Sequence, residues 1–322
     1  MLLASKPLKA EATDIVAIRN LPRTATGAGA ASGGWPFVAL LVGNVALAAG
    51  PFLVRHSGVG PIAAGFWRMA LALPLLWLVA RMARQPVHWP GRRLAMIVAI
   101  AAFFFATDLA AWHLGILLTK LGNASLFANL SSFLFAAYGL WLVRRWPAGV
   151  QALAIAMAAI GVALLMWSSA ELSAANLRGD LLAALAGLLY AGYLVLVERT
   201  RGELAPLPLL FLASAFGAVM ILPLSLAMGE QVIPADWTAV VALAVCSQLV
   251  GQGMLVYAIG HLPPLVVGVA MLTQPALSAL LGWLYYRESL APLDWLGAAL
   301  LFVALVLVRL RPALQPSAEP II

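Results

Sequence analysis

Between residues 35 and 308 the chain is a succession of apolar stretches, each about 20 residues long, divided by short breaks. A hydrocarbon core about 30 Å thick takes about 20 helical residues to cross, and inside it each backbone N–H and C=O must find its partner within the protein. That pattern constrains the chain to a bundle of membrane-spanning helices. Ten spans are expected, at 35–54, 60–80, 94–117, 122–143, 148–168, 179–197, 207–228, 237–259, 264–285 and 291–308. The breaks carry Pro, Gly or charge, as in "RMARQPVHWPGRR", "RRWP", "ERTRGELAP" and "GEQVIPADW". Composition agrees: 64% of residues are hydrophobic and 10% charged, where soluble domains run about half apolar and about a quarter charged.

Several function classes fall away at once. A single cysteine, Cys246, excludes an internal disulfide framework and any multi-cysteine metal site. The four histidines, His56, His88, His113 and His261, show no ligand spacing. No metal and no cofactor is therefore expected. The net charge of +7 comes without a basic cluster mixed with stacking aromatics, so no nucleic acid is expected as a partner. On a membrane protein it records orientation, because Lys and Arg gather in cytoplasmic loops. With the N-terminus inside, the cytoplasmic segments hold Lys6, Lys9, Arg19, Arg23, Arg81, Arg84, Arg92, Arg93, Arg144, Arg145, Arg199, Arg201, Arg309 and Arg311, against Arg55, Lys120, Arg178 and Arg287 outside. Fourteen against four places both termini in the cytoplasm.

Residues 1–34, rich in Ala, Gly, Thr and Pro, read as a mostly disordered cytoplasmic tail, and 309–322 as a short C-terminal one. "ALAAG" at 46–50 resembles a signal-peptidase site, but the long lead and the nine later spans favour an uncleaved first helix.

The spans repeat. "YGLWLVRRWPAGVQALAIAMAAIGVAL" from Tyr138 lies over "LGWLYYRESLAPLDWLGAALLFVALVL" from Leu281 at an offset of 143, matching Gly139 to Gly282, Arg144 to Arg287 and Leu153 to Leu296. Pro74 and Pro223 pair at an offset of 149. The chain divides into halves at 35–168 and 179–308. Five helices is an odd number, so the halves cross the membrane in opposite senses. The expected fold is an all-α integral membrane protein, ten transmembrane helices arranged as two inverted five-helix repeats around a central cavity. In secondary transporters built this way, the substrate site lies between the halves near the midplane.

The stretches "GPIAAGFWRMALALPLLWL" (60–78), "LTKLGNASLFANLSSFLFAAYGLWL" (118–142), "YAIGHLPPLVVGVAMLTQPALSALLGWLYYRE" (257–288) and "WLGAALLFVALVLV" resemble the EamA family of the drug/metabolite transporter superfamily, over about 35–309. The resemblance implies a small-metabolite carrier with a central cavity in a bacterial inner membrane. "DLAAWHLG" and "GNASLFANLSS" are most similar to bacterial exporters of amino acids, aromatic ones included. The small multidrug exporters of the superfamily use a glutamate in the first span, whereas 35–54 offers only Asn44.

Polar residues within spans are costly, roughly 2.5–3.5 kcal/mol for a charge at the centre, so they map the candidate site. Asp108 lies about 21 Å along the third span and shares a helix face with Ala111, Trp112 and Gly115. Two uses fit it: a cavity acid that binds an ammonium group or a proton, or a structural acid bonded to a neighbouring helix. His113 is about 140° round the helix from Asp108. It reads as a bridging polar residue or a second proton carrier, with a reference pKa near 6.5. Arg68 binds a substrate carboxylate, pairs with Asp108 or snorkels outward.

Ser125, Asn129 and Ser132 form one stripe, which serves helix packing or the cavity, with Asn129 the stronger cavity candidate. Gln248 and Gln252 lie one turn apart, followed by Tyr257, and both glutamines are expected inside. Gln274 precedes Pro275, which frees a carbonyl at a broken helix, and Ser278 follows one turn later. Tyr190, Tyr193 and Trp167 serve either a pocket for a flat or apolar side chain or an interface belt, the belt fitting Trp167 best, at a span end, and mid-span Tyr190 least. Glu198, Glu230, Asp236, Glu288 and Asp294 lie at span ends, where solvated or interfacial roles are the default.

No HExxH, GxSxG or paired-Asp signature appears, and the inter-span loops are too short to house a head-group or nucleotide site, which argues against an enzyme. Channels carry rings of charge or repeated filters, which this chain lacks. The expected role is a secondary transporter, most simply an exporter, of amino acids or similar polar metabolites. Carriage of other metabolites or drugs, or a non-transporting scaffold, stays open. Ten duplicated helices suffice in one chain, so a monomer is expected.

Overall fold

The computed structural model describes residues 34–310, apart from 120–123, 125–126, 145, 148, 168–174, 278–279, 281–283 and 285–290. Residues 1–33 and 311–322 of the expected tails, with Ser125, Ser278, Lys120, Arg145, Arg287 and Glu288, lie outside the described residues, while the last helix extends through Arg309 and Leu310. Every regular element among the described residues is helical: α1 (Trp35–Ala48), α2 (Gly50–Arg55), α3 (Pro61–Ala70), α4 (Ala72–Met82), α5 (Arg92–Leu118), α6 (Leu130–Val143), α7 (Gly149–Trp167), α8 (Leu177–Thr200), α9 (Pro206–Ala227), α10 (Trp237–Leu243), a π-helical segment (Ala244–Gln252), α11 (Gly253–His261), α12 (Pro264–Met271) and α13 (Pro292–Leu310). Among the described residues six helical segments are long and apolar enough to cross a membrane, at 35–54, 61–82, 92–118, 177–200, 206–227 and 237–261. Four shorter apolar helices, starting at Leu130, Gly149, Pro264 and Pro292, coincide with the remaining expected spans.

Proline sets many of the starts. α3, α9, α12 and α13 each begin with it. At a first helical position the missing N–H would have had no partner, and the fixed φ already suits a helix. Inside a span proline acts differently, because it leaves the carbonyl four residues earlier without its donor. Pro74 follows the interruption at Leu71 that separates α3 from α4, whereas α9 runs unbroken through Pro223. The two prolines paired by sequence thus have unlike effects.

Other expected spans are also interrupted. The first breaks at Ala49, the fourth at Asn129, and the ninth stops at Met271 and turns at 272–273 before resuming at Gln274. The eighth is α-helical at both ends and π-helical between. Asn129 and Leu272 are separated by 143 positions, the offset of the sequence repeat.

The most extensive helix contacts join α5 to α8 and α7 to α13, followed by α12 with α6, and α9 with α5 and α3. α1 lies on the π segment and α11. Lipid tails are as apolar as the helices, so membrane helices associate by close packing through small residues. At the α6–α12 contact a Cβ on Gly139 would sit 2.6 Å from the Leu265 backbone nitrogen, and one on Gly268 2.7 Å from the Ser132 carbonyl.

The connections at the two ends of the bundle are tied down. Glu230 accepts from the backbone N–H groups of Ile62 and Ala63 and from the Ser225 hydroxyl, and the Trp67 indole donates to the Val232 carbonyl. Expected as a solvated span-end acid, Glu230 instead caps α3. At the opposite end the Tyr138 hydroxyl donates to Glu198, and Arg201 donates to the Ile259 carbonyl.

Candidate functional site

A cavity of about 140 Å³ lies inside the bundle, and both halves of the chain line it. From the first half come Arg68 of α3, Phe105, Asp108, Trp112 and His113 of α5, and Asn129 and Ser132 at the start of α6. From the second come Tyr190 of α8, Gln252 at the end of the π segment, and Met271, Gln274 and Pro275 around the interrupted ninth span. Eight of the ten predicted site residues therefore meet at one place. Gln248 and Tyr257 do not line it.

Asp108 and Trp112 share the cavity because four residues bring side chains back to one helix face. The Asp108 carboxyl makes no hydrogen bond and no ion pair among the described residues. The structural use of this acid, bonded to a neighbouring helix, is not what the geometry displays. His113 turns aside as its 140° offset implies: its Nδ1 lies 2.6 Å from the Pro61 carbonyl. A carbonyl only accepts, so Nδ1 carries the proton and Nε2 is left as an acceptor. That Nε2 is buried with no partner among the described residues, as are the Trp112 indole N–H and Gln252 Oε1.

Arg68 does not snorkel, being only 6% exposed. Its Nε donates to Gln248 Oε1 at 3.0 Å, and the Gln248 amide nitrogen donates to Ser214 Oγ at 2.9 Å. The guanidinium lies 5.6 Å from the centre of the Phe105 ring, and that ring stacks on Tyr193 at 4.7 Å. Gln248 is thus a support behind Arg68 instead of a wall residue. Gln252 donates to the Tyr190 hydroxyl at 2.9 Å, which fixes that phenol at the cavity edge. Tyr257 packs on His261 with ring centres 4.3 Å apart, away from the cavity. Trp167 is largely exposed, as an interface aromatic would be.

Asn44, the lone polar residue of the first span, is fully buried. It donates to the Ala270 carbonyl at 2.8 Å and accepts from Gln274 at 3.1 Å, buttressing the interrupted ninth span. Its isolation in an apolar stretch was the sequence signal. Ser214 and Phe105, both in apolar runs, gave none. Among the described residues no group of three His, Cys, Asp or Glu side chains is placed to hold a metal ion.

A cavity inside a membrane-embedded bundle, walled by charged and amide side chains, is the architecture of a carrier. Residues 177–310 match the EamA-like transporter family. The matched stretch supplies Tyr190, Gln252 and Gln274, and the first half meets it across the cavity. Over its greater length the chain is similar to the threonine/homoserine exporter RhtA of Escherichia coli strain K12, with 25% identity over 278 residues, 84% of this chain and 89% of RhtA. It is also similar to the uncharacterized transporter YwfM of Bacillus subtilis strain 168, with 23% identity over 269 residues, 80% of this chain and 88% of that one. A crystal structure superimposes with a TM-score of 0.71 at 18% identity, covering 85% of this chain and 97% of the solved one, which bears on the fold alone. The chain is a multi-pass membrane protein whose second half is similar to transporters.

Proposed function

We propose that this protein is a secondary transporter that exports small polar metabolites, amino acids foremost, by alternating access at the cavity around Asp108. The observation that carries the reading is the Asp108 carboxyl, held without a partner among the described residues in a cavity that both halves wall. An acid kept inside an apolar bundle and left unpaired suits a substrate ammonium group or a transferable proton. A volume of about 140 Å³ is below the roughly 300–1,000 Å³ of pockets for drug-sized ligands. It favours small amino acids over aromatic ones and over drugs. The name of the RhtA relative points the same way.

The ten helical segments act as two inverted five-helix repeats. Helix pairing supports this: α6 lies on α12, α7 on α13 and α3 on α9, each pair joining elements of like position in the two halves. α5 on α8 is answered by the π segment and α11 on α1. Asp108, Trp112, His113, Asn129, Tyr190, Gln252 and Gln274 contact substrate, and Asp108 is the first candidate for proton coupling, with His113 second. The excess of Lys and Arg on one set of loops places both termini in the cytoplasm of a bacterial inner membrane. One chain supplies both halves of the cavity and works as a monomer.

Counterflow in proteoliposomes tests the reading. Vesicles loaded with one unlabelled compound from a panel of amino acids, polyamines, sugars and lipophilic cations are given the labelled compound outside. Signal for small amino acids, lost in Asp108→Asn, is the expected result. Signal that survives the substitution removes Asp108 from the site, and signal for cations or sugars alone overturns the substrate class.

A further inference from the structure

Arg68, a cation, and Asp108, an acid, line one cavity and lie within each other's field, yet they form no ion pair. In a medium of low dielectric two such groups collapse together unless something holds them apart. The structure identifies what holds Arg68. Its Nε–H can only donate, so Gln248 must present its amide oxygen, and the amide nitrogen is then aimed at Ser214 Oγ. On the opposite face the guanidinium rests over the Phe105 ring. Gln248 and Ser214 belong to the second half of the chain and Arg68 to the first, 180 positions from Gln248.

This arrangement uses one of the three guanidinium nitrogens. The two terminal nitrogens make no hydrogen bond among the described residues, and they belong to a residue that lines the cavity. A guanidinium with its fork left open is a receptor for a planar anion, and a carboxylate fits it in two parallel hydrogen bonds. Burying such a charge with no anion is costly, so the site is built for a ligand that brings one.

We propose that Arg68 binds the carboxylate of a zwitterionic substrate, and that Gln248 is its positioning residue, holding the guanidinium off Asp108 so that both charges stay available. The inference rests on the amino-acid reading above and deepens it: the preferred substrate carries a free carboxylate as well as an ammonium group. An amine without the carboxylate meets only half of the site. Because the clamp crosses between the halves, the orientation of Arg68 also depends on how the halves meet.

The test compares counterflow of labelled L-threonine and L-threoninamide, which differ in the carboxylate, in wild type, Gln248→Met and Gln248→Glu. The methionine is of similar length but removes both hydrogen bonds, and the glutamate neutralises Arg68 directly. In wild type the expected result is a lower KM for threonine than for the amide. In either variant the KM for threonine rises about tenfold or more, the scale of one charge-assisted contact, while that for the amide stays within about twofold. If Gln248→Met yields no monodisperse protein, Gln248→Glu is read alone. An unchanged threonine KM, or an equal loss for both compounds, overturns the proposal, since a merely structural glutamine would not distinguish them. A wild type that carries neither compound but carries another class overturns the amino-acid reading itself.

Discussion

The Glu230 carboxylate caps α3 through Ala63, whose backbone N–H lies 2.7 Å away across 167 positions of chain. The first N–H groups of a helix have no partner within it, and the positive end of the helix dipole favours an anion there. Glu230 also takes the Ile62 N–H and the Ser225 hydroxyl, so one carboxylate joins the start of α3 to the end of α9. Gly60 has no side chain because any Cβ there would lie 2.5 Å from Glu230.

Removing this cap destabilises the bundle. Glu230→Ala is expected to cost about 1–2 kcal/mol, as for other helix caps, and Glu230→Gln, which keeps one acceptor oxygen, to recover part of it. Thermal unfolding in detergent reads both. An alanine variant that melts with wild type would mean that water replaces the carboxylate without loss.

Helix packing at Gly139 leaves no room for a side chain. Gly139→Val is expected to force α6 from α12, at about 1–3 kcal/mol or more, and to broaden the size-exclusion peak. Gly149→Ala is the control, since nothing lies within 4 Å of the added Cβ. The contact is less tight than described if both variants behave alike.

Asn44 supports the cavity wall from outside it. Asn44→Leu takes the acceptor from the Gln274 amide and one of several donors from the Ala270 carbonyl, which keeps its bonds from Thr273, an expected loss of about 1–3 kcal/mol in all. Because Met271, Gln274 and Pro275 line the cavity, the apparent affinity in counterflow should weaken as well. A variant with lower stability and an unaltered KM would confine Asn44 to a structural role.

One pH effect belongs to the span boundary. The Asp236 carboxyl accepts from the Thr238 N–H at 2.9 Å, and bonds from Thr238 hold it below the ordinary carboxylate range. A depressed pKa in the folded state gives stability that is present above the unfolded value and lost as pH falls through the folded one. The melting difference between wild type and Asp236→Ala is therefore expected to be full at neutral pH and to shrink only below the usual carboxylate range. A difference that vanishes already near neutrality would rule the carboxylate out.

Much of the site was legible along single helices. Asp108 and Trp112 are four residues apart, and Gln252 and Gln274 are amides inside apolar spans, so local periodicity and cost placed them inside. Tyr257 has the same local signature and lies elsewhere, while Gln248 stands behind Arg68. Arg68 had three readings because its long side chain reaches in several directions; its burial and its bond to Gln248 remove snorkelling and an ion pair with Asp108. Glu230 looked like any span-end acid. The α3 N–H groups it caps lie more than 160 residues away, where no periodicity reports them.

The sequence by itself determined that this chain lives in a membrane, where its helices begin at proline, and which few polar residues had to face inward. These follow from hydropathy and backbone chemistry, which act over a few neighbouring residues. Only the tertiary structure decided that Asn44 meets Gln274, that Gln248 aims Arg68, and that Asp108 is left without a partner among the described residues. Each of these depends on which distant helix packs alongside, and that is chosen by the fit of small residues across the whole bundle.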